Sequence, residues 1–330
     1  MEKLRLTDSF SRQFRYLRLS VTDVCNFRCT YCLPDGYQKN HEARESEMTV
    51  KEIRKLCEGF DLLGFEKIRL TGGEPTLRKD LIDIVSAVSD LSNLKILALS
   101  TNGHNLDKLA RPLREAGVNA LNVSLDSLDP GRFKAVTGSG RFDSVMRGIE
   151  SALESGYDSV KVNAVLLRGI TELDISGFIE WVRTRPISVR FIELMRTGRN
   201  AELFEKRHFS GSELQLILGQ NGWKAVERRS LAGPAVEFCH PDYLGRIGLI
   251  APYSKDFCNT CNRLRVSSRG GLRLCLFGEG DYSLRHYLDQ DGSAELVAEA
   301  VRSQIQMKPS SHFLKQGKYG NTWNLSSIGG

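Results

Sequence analysis

The residues in this sequence with the most chemistry to offer are cysteines, and six of the eight fall in two groups of three. The first group is Cys25-x3-Cys29-x2-Cys32 and the second is Cys258-x2-Cys261-x13-Cys275. Three thiolates close together on a loop can grip three corners of a [4Fe–4S] cube and leave its fourth iron open, whereas a complete protein shell needs a fourth residue. The rival is structural zinc, which takes four ligands, usually from cysteine pairs. The first group reads as a cluster site. For the second a zinc ribbon is the natural alternative, with Cys239 and His240 upstream as spare donors and Cys57 at a core-like position in a helical pattern. A second three-ligand cluster, whose open iron can bind a substrate, is the preferred reading there.

Other polar motifs stand where a ligand would meet them. Thr71-Gly72-Gly73-Glu74-Pro75 follows a strand pattern; its glycines let backbone approach a ligand and its carboxylate can meet an ammonium. Behind the second cysteine pair come Asn262, Arg263, Leu264 and Arg265. Arginines at alternating positions of an extended segment point the same way and can fork onto phosphate oxygens. Arg18, Arg69, Lys161 and Arg190 each fall on a strand pattern. Cations inside a barrel are costly unless paired, so an anionic substrate suits them.

The elements that must carry these groups alternate. Strand patterns cover Tyr16–Val21, Lys67–Leu70, Lys95–Ser100, Ala120–Leu125, Val160–Leu166 and Val189–Glu193. Amphipathic stretches at Thr49–Leu63, Leu81–Leu91, Leu106–Ala116, Ser144–Ser155 and Leu173–Arg183 separate them. Six βα units satisfy either a doubly wound sheet or an open (β/α)6 barrel, and in both the loops after the strand C-termini collect ligands. After about residue 225 the pattern shifts to shorter pieces, Ala235–Cys239 and Arg246–Ile250, then the second cysteine group and a helix near Ala294–Met307. The division expected is a core over 1–225 and an appended region over 226–330.

Composition removes several function classes. No apolar run approaches the roughly 20 residues that span a bilayer, and the first residues lack the apolar core of a secretory signal, so a cytoplasmic protein without membrane attachment is expected. In a reducing compartment clustered cysteines are metal ligands or catalytic thiols rather than disulfides. A surplus of 46 basic over 40 acidic residues is too mild to indicate nucleic-acid binding, and no such motif accompanies it.

Taken in order, C-N-F-R-C-T-Y-C, T-G-G-E-P-T-L-R, S-T-N-G, N-V-S-L-D-S-L, V-K-V-N, R-F-I-E-L-M and C-N-T-C-N-R-L-R closely resemble the molybdenum cofactor biosynthesis protein A family. These are GTP 3′,8-cyclases of the radical S-adenosylmethionine superfamily, and the likeness runs from about Asp8 to Gly330. The resemblance implies an α/β fold, an incomplete (β/α)6 TIM-type barrel with a C-terminal extension carrying a second iron–sulfur cluster. It implies two [4Fe–4S] clusters, with S-adenosylmethionine chelated at the Cys25–Cys29–Cys32 site and held by Tyr31, Gly73, Ser124 and Met195, Glu74 being a further candidate. For GTP it implies Arg18, Arg69, Ser100, Lys161, Arg263, Leu264 and Arg265, with Arg190 as a weaker candidate, and a Gly329-Gly330 tail that reaches the active site.

The implied reaction starts with a 5′-deoxyadenosyl radical that takes hydrogen from ribose C3′ of GTP. The carbon radical attacks guanine C8, and reduction gives 3′,8-cyclo-7,8-dihydro-GTP; the cofactor carries the hard chemistry and the protein places it. Implied partners are a reduced flavodoxin or ferredoxin as electron donor, a downstream cyclic pyranopterin monophosphate synthase, and a second copy in a homodimer. A radical enzyme acting on a peptide and a non-catalytic iron–sulfur carrier are the rival functions. The T-G-G-E-P loop speaks against the carrier, which needs no site for an amino acid moiety.

Overall fold

The computed structural model describes residues 5–38, 46–228, 231–278 and 280–320. In chain order its elements are β1 (Tyr16–Ser20), α1 (Val50–Leu62), β2 (Lys67–Thr71), α2 (Leu81–Ser89), β3 (Ile96–Thr101), α3 (Leu106–Ala116), β4 (Ala120–Ser124), α4 (Pro130–Thr137), α5 (Phe142–Glu154), β5 (Ser159–Leu166), α6 (Thr171–Trp181) and β6 (Ser188–Glu193). There follow α7 (Ala201–Arg207), α8 (Gly211–Gln220), β7 (Lys224–Val226), β8 (Val236–Cys239), β9 (Arg246–Ile250), β10 (Arg263–Val266), β11 (Gly271–Arg273), β12 (Tyr282–Ser283) and α9 (Ala294–Gln304).

Every pairing from β1 through β6 is parallel and joins consecutive strands, as six βα units require. Period two then divides the strand residues between two faces. Leu17, Leu19, Ile68, Leu70, Leu97, Leu99, Leu121, Val123, Val160, Val162, Val189 and Phe191 turn outward into one apolar cluster shared with the helices. The alternate residues turn inward and are mostly polar. α1 shows how a helix docks: Thr49 and Glu52 form a reciprocal capping box, and Ile53, Leu56, Cys57 and Phe60 bury one face. Each such side chain contributes about 1.5–3 kcal/mol by leaving water.

The sheet is curled. Arg69 on β2 and Arg190 on β6 are four strand steps apart, about 19 Å on a flat sheet, yet they feel each other's charge and line one cavity. This is the α/β barrel expected. The chain beyond 225, read from sequence as an appendage, builds no sheet of its own. β9 adds in parallel to β6 and β10 adds in parallel to β1, so both open edges of the six-stranded core are covered, with β7, β8, β11 and β12 antiparallel outside them. An uncovered edge would leave a row of unpaired backbone groups, which explains why these short strands are recruited. No described helix is long and apolar enough to cross a membrane.

Candidate active site

The first three cysteines leave the C-terminal end of β1 in a tight loop, with Cys32 N–H donating to Cys29 O at 3.0 Å and Leu33 N–H to the same oxygen at 2.9 Å. Burial pushes the Cys29 thiol well up, and Asp126, Cys32 and Cys25 push it further. The three sulfurs therefore stand close enough to repel one another as thiolates. A cationic iron–sulfur core bound there would relieve that repulsion and displace the protons. Among the described residues no three His, Cys, Asp or Glu side chains converge on one point to hold a single metal ion. Ligands of a cube each meet a different iron and need no such point.

The T-G-G-E-P loop after β2 is stitched to the cysteine loop by backbone. Gly73 N–H donates to Thr22 O at 2.8 Å and Glu74 N–H to Val24 O at 2.7 Å. A Cβ on Gly73 would meet Val24 O at 2.2 Å, and one on Gly72, whose φ is +156°, would meet Thr22 O at 2.4 Å. The glycine pair is thus required by loop against loop, as well as facing the cavity. Glu74 turns away: it is fully buried and absent from the cavity wall. Its Oε1 accepts from Thr76 N–H at 3.0 Å, Thr76 Oγ1 at 2.6 Å and Thr101 Oγ1 at 2.7 Å, and its Oε2 from Asn102 N–H at 2.6 Å. Its carboxylate clamps the loop after β2 to the loop after β3.

One cavity, at the C-terminal end of the barrel strands and down into the interior, is lined by both cysteine groups and by Tyr31, Gly73, Ser100, Ser124 and Met195. Arg18, Arg69, Arg190, Arg263 and Arg265 line it too. Lys161 faces instead the opening at the other end of the barrel with Lys67, and Arg69 and Arg190 belong to both. Leu264 is the exception. It sits between two inward arginines, so the pleat turns it outward, fully buried in the apolar layer, and its side chain cannot reach the cavity. The Gly329-Gly330 tail lies outside the described residues. Cys239 and His240 stay out of the cavity wall; His240 packs on Trp223 and Tyr243, with ring centroids 5.6 and 4.9 Å away.

The electrostatics of the interior are those of an anion site. Arg18 pairs in register with Arg69 on one side and Arg265 on the other, and all three are buried. Lys67, Arg69 and Lys161 have no carboxylate partner among the described residues. Burial, with Arg190, Lys67 and Arg69, pulls Lys161 down to about 7. Tyr16 faces the same interior: burial pushes its phenol up, but Arg69, Arg18, Lys67 and Arg263 overcome that and pull it down to about 7. Arg69 Nε, Arg190 Nε, Asn122 Oδ1, Asn163 Oδ1 and Ser188 Oγ are buried without a hydrogen-bond partner among the described residues. All five lie on inward strand positions. Such atoms cost roughly 1–3 kcal/mol each when left alone, so their concentration marks where a polar ligand belongs.

At the second cysteine group the local charge is reversed. Burial pushes Cys261 up, yet Arg263, Lys308 and Arg12 more than compensate and leave it at about 7. Cys258 is also lowered, its burial outweighed by His312 and by Ser311, whose hydroxyl donates to its sulfur at 3.7 Å.

Sequence reasoning missed three residues of this wall and one of the opposite opening. That one is Lys67, an inward cation two residues before Arg69, which the strand alternation could have given. Asp126 lies in the quoted N-V-S-L-D-S-L motif and accepts from Tyr31 O–H at 2.9 Å and Val165 N–H at 2.8 Å; burial lifts it to about 6. Lys308 and His312 come from a stretch without any motif, and only the fold brings them in.

Comparison with known proteins agrees with this geometry. The Radical SAM superfamily model matches residues 19–182, and the Molybdenum Cofactor Synthesis C model matches residues 187–314. Among solved structures, Streptococcus suis SuiB bound to S-adenosylmethionine is similar with a TM-score of 0.62 at 14% identity, over 88% of this chain and 69% of that one. A second structure of Streptococcus suis SuiB is similar at a TM-score of 0.58 and 16% identity, over 89% of this chain and 69% of that one. The FeFe-hydrogenase maturase HydG from Carboxydothermus hydrogenoformans matches at 0.50 and 17%, over 64% and 51%. At these identities the structures speak for the fold alone. The two family matches follow one another along the chain and take in both cysteine groups, and the protein belongs to the radical S-adenosylmethionine superfamily, in its molybdenum cofactor synthesis branch.

Proposed function

We propose that this enzyme is a GTP 3′,8-cyclase, a lyase that converts GTP to 3′,8-cyclo-7,8-dihydro-GTP early in molybdenum cofactor synthesis. The observation that carries the reading is the barrel interior. Buried arginines and the orphaned polar atoms of Arg69, Arg190 and Asn163 line the cavity that carries both three-thiol sites, and Asn122 and Ser188 add two more on the same inward faces toward the other opening. A nucleoside triphosphate answers both features, with phosphates for the arginines and lysines and a hydrogen-bonding base for the far cysteine group.

Cys25, Cys29 and Cys32 would hold the cluster that engages S-adenosylmethionine, and Cys258, Cys261 and Cys275 one that faces the substrate. Bound there, cluster and S-adenosylmethionine supply the one-electron cleavage that starts the chemistry. The chain's own residues place and enclose the reactants. Tyr31, Gly73, Ser124 and Met195 line the S-adenosylmethionine end. Arg18, Arg69, Lys161, Arg190, Arg263 and Arg265, with Lys67, hold triphosphate, and Ser100 offers a hydroxyl to GTP. A fixed guanidinium row orients phosphate with little entropy left to lose, and orientation is what a ring closure between two parts of one substrate most needs. Residues 1–225 form the radical core and residues 226–330 the substrate-presenting region. A reduced flavodoxin or ferredoxin supplies the electron in the cytoplasm, and cyclic pyranopterin monophosphate synthase takes the product.

The test is anaerobic reconstitution with iron and sulfide, then incubation with S-adenosylmethionine, dithionite and GTP. Joint formation of 5′-deoxyadenosine and a cyclised guanine nucleotide is expected. If 5′-deoxyadenosine forms while GTP stays intact, the cyclase reading is wrong.

A further inference from the structure

Lys308 lies just beyond α9 and is 4% exposed. Its ammonium is 5.3 Å from the centroid of the Phe14 ring and donates to Leu274 O, the carbonyl next to Cys275. It lines the cavity beside Cys258, Cys261 and Cys275. No carboxylate pairs with it among the described residues. Its neighbour Arg12 is different: that guanidinium is matched by Asp8 at 2.7 Å, and its remaining N–H groups hold the carbonyls of Cys258, Pro309 and Ser310 at 3.3, 2.7 and 2.8 Å. Arg12 is therefore a strut that fixes the 308–310 backbone against the cysteine loop, and Lys308 is the unmatched charge which that strut delivers.

A buried ammonium needs a counter-charge, and the available ones here are the three thiolates. The first cysteine group has the opposite surroundings, with Asp126 against Cys29 and Glu74 against Cys25. We propose that Lys308 is the resident counter-charge of the second three-thiol site, a positioning residue that makes a cluster bound there easier to reduce than one on Cys25, Cys29 and Cys32. The inference rests on the reading that the second group holds a cluster. Its physics is direct: reduction adds a negative charge, and a fixed positive charge at close range in a low-dielectric wall stabilises the reduced form, as net charge and hydrogen bonding near the sulfurs do generally. The assignment gives the two clusters different tasks, the first kept as the strong reductant and the second as the milder site that faces substrate.

The experiment uses the full chain, reconstituted anaerobically without nucleotide and titrated with reductant while the two clusters are followed by electron paramagnetic resonance. Lys308→Met keeps the length and apolar stem of the side chain and removes its charge. The second cluster is expected to shift to a more negative potential with the first unmoved and iron unchanged, and Lys308→Arg is expected to stay near wild type. A second-cluster potential that does not move in Lys308→Met at full iron content overturns the inference, also when nucleotide affinity alone falls. Should Lys308→Met lose the second cluster, its retention in Lys308→Arg supports the charge role, and its loss in both overturns it. The underlying reading fails separately, if Cys275→Ala leaves wild-type iron content unchanged.

Discussion

Replacing Gly73 by alanine tests whether the glycine pair exists for the fit of two loops. The new Cβ would stand 2.2 Å from Val24 O, 2.5 Å from Val24 C and 2.7 Å from Asp23 O, all of them backbone atoms. A side chain could rotate away, but backbone can only move, and a normal carbon–oxygen contact demands a separation about 1 Å larger. That displacement breaks Gly73 N–H to Thr22 O and Glu74 N–H to Val24 O, which are 2.8 and 2.7 Å long. Two hydrogen bonds at about 1 kcal/mol each and overpacking at about 1–3 kcal/mol sum to about 3–5 kcal/mol. At roughly 2 °C per kcal/mol for a large chain, the Tm falls by about 6–10 °C. Gly140→Ala is the control, since nothing lies within 4 Å of its Cβ position; it should change stability by less than about 0.5 kcal/mol. Thermal melts by circular dichroism measure both. If Gly73→Ala melts within about 1 °C of wild type while losing only S-adenosylmethionine affinity, the glycine serves the ligand alone and the packing argument is wrong.

Three other outcomes follow from the same geometry. In Glu74→Gln each carboxylate oxygen now faces a backbone N–H, Thr76 and Asn102 respectively, so the amide nitrogen confronts a donor in either orientation; a loss of about 1–3 kcal/mol is expected in denaturant melts, and an unchanged midpoint refutes the clamp. Lys161 and Lys67 are drawn from 10.5 to about 7 and about 8, by burial first and then by the charges around them. Their folded values lie below the unfolded one, so the unfolded chain binds more protons in between, and stability rises with pH from about 7 to about 10 and is lost as pH falls through 7. Lys161→Met should flatten that rise, and inorganic triphosphate should stabilise wild type more at pH 6.5 than at 8.5; a pH-independent effect contradicts the anion site. Cys275→Ala should lower iron by about one cluster and leave the first cluster's resonance spectrum intact.

Much of the site could be read from sequence because the chemistry depends on short-range spacing. Cys25, Cys29 and Cys32 lie within one loop, and Arg18, Arg69, Lys161 and Arg190 sit on strands whose outward partners, such as Leu17, Leu70, Val162 and Val189, carry the apolar pattern. α3 and β9 fall on the residues their periodicity marked. What escaped is set by contacts distant in sequence. The roles of β9 and β10 depend on which edges of the six-stranded core are open, a property of the curled sheet and not of four- or five-residue strings. The resemblance groups Leu264 with its arginine neighbours, and the pleat turns its side chain away from theirs. The clamp that Glu74 makes is invisible in the motif because its hydrogen-bond donors come partly from the end of the next strand and the loop after it.

The parallel pairing of β1 with β10 explains how one cavity can hold two cysteine groups more than two hundred residues apart. Tyr16 lies opposite Arg263 and Arg18 opposite Arg265, so Cys261 enters below the level at which β1 begins, while Cys25 follows the level at which β1 ends. The groups are thus offset along the barrel by roughly the length of β1, about 13 Å at 3.3 Å per residue. That offset is filled by inward side chains at the same levels, Arg18, Arg69, Arg263 and Arg265. A ligand in contact with both ends must cross this cationic band, so its length and charge are selected by one strand pairing. A short apolar substrate could reach one cysteine group or the other, but it would bring no negative charge to the guanidinium row, which a polyanion does.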